Sequence, residues 1–596
     1  MPAYHPPTEE MLALLEEVLQ AGPALAALPP LSPDGAEGDP LPLLRDVLEE
    51  AGRFAAGVLA PLNRSGDEEG CRLENGVVRV PQGFTEAYAA FVAGGWGGLS
   101  QAPEWGGQGL PRAAQILLDE MMASANFSFG LFPGLTRGAV EAIERHASED
   151  LKARYLPKLV SGEWCGAMAL TEPQAGTDLG LLRTRAEPQP DGSLRVTGGK
   201  IFITAGDHEM AENIVHLVLA RLPDAPPGVR GISLVLVPKY LPDAEGRPGA
   251  RNAMSVGALE RKMGIHASPT CVMNYDGATG WLVGAPHRGL AAMFTMMNAE
   301  RLFVGIQGLG IAEAAYQGAV AYARERRQGR AAGEKGEAAQ PILVHPDVKR
   351  MLLTIRAFTG AGRALALWVA LRMEEAARHP DPAARAEAEG HVALLTPVIK
   401  AAFTDLGFEA AVLGQQVLGG HGYVREWGME QLVRDARIAQ IYEGTNGVQA
   451  MDLAGRKLSV EDGALPARFF ALVRAEIEAA GGTLGAEAYT APLAAALKRL
   501  EAATARLTRR AAANPAETGA AASDYLRLFA LVALGWMWAR MALAALRAGG
   551  AATPRHRAWL DVARFFMARL LPQSVALDLA LAEGAAPLLA LPEEAY

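Results

Sequence analysis

The feature that most constrains this chain is a change of period. From Leu43 to about Gly162 apolar residues recur at helical spacing, in Leu43–Leu62, Phe84–Gly94, Ala113–Ser124, Gly138–His146 and Asp150–Val160. After Glu163 the pattern shortens. Asp191-Gly192 marks a turn, and Leu194–Val196, Ile201–Thr204, Ile214–Arg221 and Ile232–Pro238 alternate or run apolar as strands do. A helical period returns over Gly289–Arg330 and continues through His345–Glu374, Ala383–Leu413 and Gly428–Ile441. Helix, strand and helix in blocks predict an α+β chain, not alternating βαβ units.

These changes set boundaries. An N-terminal segment and linker occupy 1–42, with a short amphipathic helix over 8–20 and a Pro- and Gly-rich stretch over Pro29–Pro42. A helical domain follows over 43–162, a β domain over 163–283 and a helical bundle over 284–460. Residues 461–596 form a helical extension, patterned at Ala467–Ala480, Ala491–Arg510, Ala521–Ala548 and Arg557–Leu571. A chain of 596 residues exceeds one core, which fits this division.

Composition narrows the function. A net charge of −10 argues against nucleic acid as a main partner, although local arginines still gather phosphates. Cys71, Cys165 and Cys271 are few, odd in number and scattered, which fits a reducing compartment and no disulfide framework. No apolar run reaches membrane-spanning length without charge, and Glu9 and Glu10 stand where a signal peptide would be basic. The expected location is cytoplasmic, with no membrane partner. No His, Cys or Asp cluster has metal-ligand spacing and no GxSxG occurs, so zinc and serine-hydrolase chemistry are not expected. The glycine loop Trp105–Leu110 lacks a following GK[ST] and reads as a connection.

Three motifs carry chemistry. Glu443 stands in Ile441-Tyr442-Glu443-Gly444-Thr445, where apolar positions at helical spacing end at a glycine. A carboxylate placed between an aromatic ring and a glycine turn is either a solvated helix-end acid or a desolvated one. Desolvation would raise its pKa towards that of a general base. The other two motifs are Ala169–Asp178, ALTEPQAGTD, and Lys200–Gly206, KIFITAG. Gln416, Gly419 and Gly420 precede the glutamate.

In order and spacing these motifs resemble those of the acyl-CoA dehydrogenase family, over roughly residues 40–460. The resemblance implies an N-terminal helical domain, a central β-barrel-like domain and a C-terminal four-helix bundle, with FAD between the last two. The extension resembles that of a branch of roughly 600 residues, which includes broad-range fatty acyl-CoA and 3-methylmercaptopropionyl-CoA dehydrogenases. The implied reaction is α,β-dehydrogenation of an acyl-CoA to the trans-2-enoyl-CoA, with electrons passed to an electron-transfer flavoprotein. Removing hydrogens from Cα and Cβ needs a base and a hydride acceptor, and no side chain accepts hydride.

Carried over residue by residue, Glu443 is the base and its backbone N–H helps to polarise the thioester carbonyl. Met168, Leu170 and Thr171 touch the isoalloxazine, while Phe202 and Thr204 pack on it. Phe202 stands where many members have tryptophan. Thr177, Tyr442 and Gly444 face substrate. Arg301 orients the glutamate loop by hydrogen bonding or forms a structural salt bridge. Arg326 and Gln328, with Gln416 and Gly420, hold the dinucleotide of a neighbouring subunit, so a homodimer is expected; Thr445 contacts it beyond the base. Gly329, Gln431 and Gly447 depart from the family pattern. His266 contacts coenzyme A or caps a strand. Two alternatives remain: a 3-methylmercaptopropionyl-CoA dehydrogenase, and a flavin-binding, DNA-associated stress protein on the same fold, whose extension would be basic.

Overall fold

The computed structural model describes residues 4–29, 39–336 and 338–596. Seven helices form the N-terminal part: α1 (Thr8–Ala13), α2 (Leu41–Phe54), α3 (Ala60–Glu69), α4 (Phe84–Ala93), α5 (Arg112–Ala125), α6 (Phe127–His146) and α7 (Glu149–Ser161). Helix α6 begins eleven residues before the expected start at Gly138, capped by Asn126, whose Oδ1 accepts from Phe129 N at 3.1 Å.

Seven strands follow: β1 (Trp164–Ala169), β2 (Arg185–Pro188), β3 (Leu194–Thr204), β4 (Asn213–Arg221), β5 (Ile232–Pro238), β6 (Met254–Leu259) and β7 (Thr270–Val283). Their order is β6-β7-β3-β2-β4-β1, and β5 pairs with both β7 and β4. That double pairing closes β7, β3, β2, β4 and β5 into a ring, a barrel-like body. Strands β4 and β5 are buried along nearly their whole length, so both read as unbroken apolar runs. Strand β3 alternates and keeps one face open. β1, which the periodicity missed, contains Gly166 and small alanines; its parallel pairing with β4 makes it a strand despite that composition.

The bundle consists of α8 (Gly289–Glu325), α9 (Pro346–Arg378), α10 (Pro382–Leu418) and α11 (Met429–Arg437). Helix α8 ends five residues before the expected Arg330, because Arg326 turns to extended backbone. Its middle is buried all round, as expected of a helix in the heart of a large protein. α8 and α10 cross at glycines. A Cβ on Gly308 would lie 2.4 Å from Phe403 O, and one on Gly407 2.4 Å from Gly308 O. This close crossing fixes the spacing between Arg301 on α8 and Lys400 on α10.

After the short α12 (Asn446–Met451), the extension supplies α13 (Ala464–Ala479), α14 (Glu487–Ala513), α15 (Ala516–Arg547), α16 (Pro554–Phe565) and α17 (Gln573–Glu583). α15 docks on the bundle, where Trp538 Nε1 donates to Ala357 O at 2.8 Å and Trp536 meets Trp368 edge-on at 5.0 Å. By length and hydropathy, α9, α15 and the segment Pro554–Glu583 are each apolar enough to cross a membrane, which qualifies the expectation from the sequence. The first two are buried among other helices instead.

Residues 8–20 are not an amphipathic surface helix. Met11, Leu12, Leu14 and Leu15 are all buried. Glu10 pairs with Arg356 of α9, and Glu17 accepts from Arg555 and pairs with His556 of α16, each at 2.7 Å. The segment is a strap joining bundle and extension. Most of the linker expected over Pro29–Pro42 lies outside the described residues, and its last two residues open or precede α2.

Candidate active site

Glu443 sits in a tight turn between α11 and α12, at a φ of 57° that few side chains adopt. Gly444 follows at 79°, and a Cβ there would also lie 2.7 Å from Gln449 Nε2, so glycine is required twice over. The loop is fastened from several sides. Lys400 Nζ donates to Gly444 O at 2.8 Å and to Asn446 Oδ1 at 2.9 Å. Gln449 Nε2 donates to Glu443 O at 3.2 Å. The Tyr442 hydroxyl donates to Gln307 of α8, while its ring packs on the cluster of Phe127, Leu131 and Val304. Tyr442 is thus a wall, as expected.

The Glu443 carboxyl itself is left unengaged. Its Oε2 is buried without a hydrogen-bond partner. Burial pushes its pKa up to about 7, against the opposing charges of Arg301 and Lys400. Arg301 does not hydrogen-bond the loop. Its Nη1 donates weakly to Asn298 at 3.4 Å and its Nε is buried and unpaired, so it acts on Glu443 through charge alone. The hydrogen-bonding role expected of Arg301 falls to Lys400, which the motifs did not contain. Its signal was a single cation in the otherwise apolar run Leu394–Phe403.

The other two motifs meet at the ends of β1 and β3. Ile201 N donates to Thr171 O at 2.9 Å, and Lys200 Nζ donates to Leu170 O at 3.0 Å and to Glu172 Oε1 at 2.8 Å. The Lys200–Glu172 pair is almost wholly buried. Burial would raise the Glu172 pKa, but Lys200 and the surrounding donors overcome it and bring it down to about 2. This internal bridge turns Met168, Leu170, Thr171, Phe202 and Thr204 towards one wall. Phe202 is 58% exposed at a φ of 60°, and Thr171 and Thr204 have hydroxyls without a partner among the described residues. An exposed ring flanked by free hydroxyls fits a flat, hydrogen-bonding heterocycle such as the flavin of FAD.

Thr177 is exposed in the turn that follows. Thr445 is exposed too, but its Oγ1 accepts from Val448 N at 3.2 Å and caps α12. Arg326, Gln328, Gln416 and Gly420 are exposed at one end of the bundle, where Tyr322 and His421 meet at 2.9 Å. Arg326 lies roughly 37 Å along α8 from Arg301, at 1.5 Å per residue. These four residues therefore stand apart from the Glu443 end of the same chain.

The remaining sequence candidates are structural. His266 accepts or donates at Lys262 O, 2.9 Å away, and pairs with Asp67, which also binds Arg434. This junction ties α3, the β6–β7 loop and α11 together. Gly264 lies against α11, where a Cβ would come 2.6 Å from Asp435 Oδ1. Gln431 is buried and donates to Asn63.

A buried carboxylate poised to take a proton, in a chain with a wall fit for a flavin, defines a dehydrogenase scaffold. The chain belongs to the acyl-CoA dehydrogenase family. Residues 44–163, 167–278 and 287–458 match its N-terminal, middle and C-terminal domains, and 469–592 match the domain described as "Acetyl-CoA dehydrogenase C-terminal like". A 3-methylmercaptopropionyl-CoA dehydrogenase from Ruegeria pomeroyi is 47% identical over 84% of this chain and 85% of its own. The broad-specificity linear acyl-CoA dehydrogenase FadE5 of Mycobacterium tuberculosis is 32% identical over 89% and 90%. An acyl-CoA dehydrogenase from Bacillus anthracis, solved with FAD, shares the fold at a TM-score of 0.74 and 19% identity, over 94% of this chain and 91% of that one. The family is FAD-dependent, and the residues of the wall would hold the ring here.

Proposed function

We propose that this chain removes the α-proton and a β-hydride from an acyl-CoA thioester, giving the trans-2-enoyl-CoA, with Glu443 as the base. The observation that carries this is the Glu443 Oε2: buried, without a partner, and on a carboxyl whose pKa is raised to about 7. A base at this pKa is largely ionised at neutral pH and still strong enough to take a proton. Bound FAD supplies the hydride acceptor for the β-hydrogen. The chain's own contribution is to hold the carboxylate still through Lys400, Gln449 and Tyr442, and to keep the site dry. Arg301 and Lys400 favour the ionised form of the base.

Three further parts belong to the same proposal. An electron-transfer flavoprotein takes the electrons. A second copy of the chain completes the dinucleotide site, since Arg326, Gln328, Gln416 and Gly420 stand far from Glu443 along α8 and α10. The enzyme works in the cytoplasm, for which three unpaired thiols speak. A second reading, oxidation of 3-methylmercaptopropionyl-CoA, is favoured by the name of the Ruegeria relative. A turnover screen of butyryl-, octanoyl-, palmitoyl- and methylmercaptopropionyl-CoA with an artificial electron acceptor tests both. Absence of turnover with every thioester would overturn the reading.

A further inference from the structure

Beside the catalytic loop, α5, α6 and α8 enclose a cavity of about 60 Å³, room for about two waters at ~30 Å³ each. Its lining is polar where an alkyl pocket would be apolar. Gln115 and Asp119 enter from α5, Arg137 and Gly138 from α6, and Glu300 and Phe303 from α8. Arg137 Nη2 pairs with Asp119 Oδ2 at 2.6 Å, and Gln115 Nε2 donates to Asp119 Oδ1 at 3.0 Å. Two groups are left over: the Arg137 Nη1 donor and the Gln115 Oε1 acceptor are both buried with no partner.

Glu300 adds a third. It is 3% exposed and hydrogen-bonds no described residue. Its Oε1 lies 2.8 Å from where a Cβ on Gly138 would stand, so only glycine there admits the carboxyl. Glu300 directly precedes Arg301 on α8 and senses the charge of Glu443, which places the cavity next to the base. Burial, with that neighbouring charge, keeps Glu300 protonated. Around the cavity the charges cancel, because Arg137 is matched by Asp119 and Arg112 by Glu141 at 3.0 Å.

Resting on the dehydrogenase reading above, we propose that this cavity receives the far end of the acyl group and selects short acyl thioesters ending in a small neutral hydrogen-bonding group. A terminal hydroxyl or primary carboxamide answers the free donor and the free acceptor together. An alkyl end would displace water and leave both stranded, which costs more than an unfavourable contact does. A terminal carboxylate would bring a charge into surroundings whose own charges are already balanced.

The test compares kcat/KM of the FAD-loaded enzyme for matched pairs: 6-hydroxyhexanoyl- with hexanoyl-CoA, and 8-hydroxyoctanoyl- with octanoyl-CoA, together with adipoyl- and palmitoyl-CoA. The hydroxylated member of at least one pair should exceed its partner by about tenfold or more, and palmitoyl-CoA should fall below hexanoyl-CoA by a similar factor. Gln115→Leu should shrink the hydroxyl preference to within about threefold; should that variant lose its flavin, the wild-type ratios still decide. Ratios of one or less in both pairs mean that the cavity holds only water, and overturn the inference while the dehydrogenase reading stands. Palmitoyl-CoA as the best substrate overturns it equally, as does adipoyl-CoA exceeding every hydroxyacyl thioester. No turnover with any thioester removes the dehydrogenase reading, and this inference with it.

Discussion

Lys400 Nζ donates to the carbonyl oxygen of Gly444 at 2.8 Å, fastening the peptide that follows Glu443 from a position 44 residues earlier in the chain. The same ammonium reaches Asn446 Oδ1, and its charge favours the ionised glutamate. Lys400→Met keeps the length of the side chain but removes both effects. We expect kcat/KM to fall by roughly 10- to 100-fold, with the Gly444 carbonyl left without its donor. The pH at half-maximal activity should also rise, because a cation favouring carboxylate is gone. Steady-state kinetics across pH check this; an unshifted profile would show Lys400 to be structural only.

Glu443→Gln preserves shape and removes the proton acceptor. Turnover should drop by ~10²–10⁴-fold while the FAD content stays at the wild-type level. Stopped-flow bleaching of the flavin by a saturating acyl-CoA is the readout. Near-normal bleaching would move the base elsewhere.

The same substitution should stabilise the fold, with a pH signature. The Glu443 carboxyl titrates near 7 in the folded chain and near 4.5 when unfolded, so the native state binds the extra proton between those values. Stability therefore declines as pH rises through this window. Thermal melts of the two holoproteins should coincide near pH 4.5 and diverge up to about pH 7, with the Gln variant melting higher.

In wild-type enzyme kcat/KM should rise with pH along a limb centred near 7, since the base must be ionised in the free enzyme. A limb centred near 4.5 would mean a solvated carboxylate.

Lys200→Met leaves the Glu172 carboxylate buried beside an apolar chain. Breaking a buried pair costs ~3–5 kcal/mol, and this pair also holds the two flavin-facing segments together. Denaturant melts should show the loss, and the purified protein should carry less FAD. Phe202→Ala is the contrast: with the ring 58% exposed, stability should change little while FAD retention falls.

The sequence by itself determined the order of helix, strand and helix, because side-chain period is a local property, and it determined Glu443 through the residues adjoining it. It also singled out Phe202 and Thr171, which act through their own faces of neighbouring strands. Only the tertiary structure decided that Lys400 and not Arg301 holds the loop, since the two helices meet at a glycine crossing that no local pattern announces. It likewise turned residues 8–20 from a surface helix into a buried strap, because burial depends on what packs above a helix as well as on its own stripe. The polar cavity was illegible for the same reason. Gln115, Arg137 and Glu300 come from three helices, and their unpaired atoms exist only once those helices are packed.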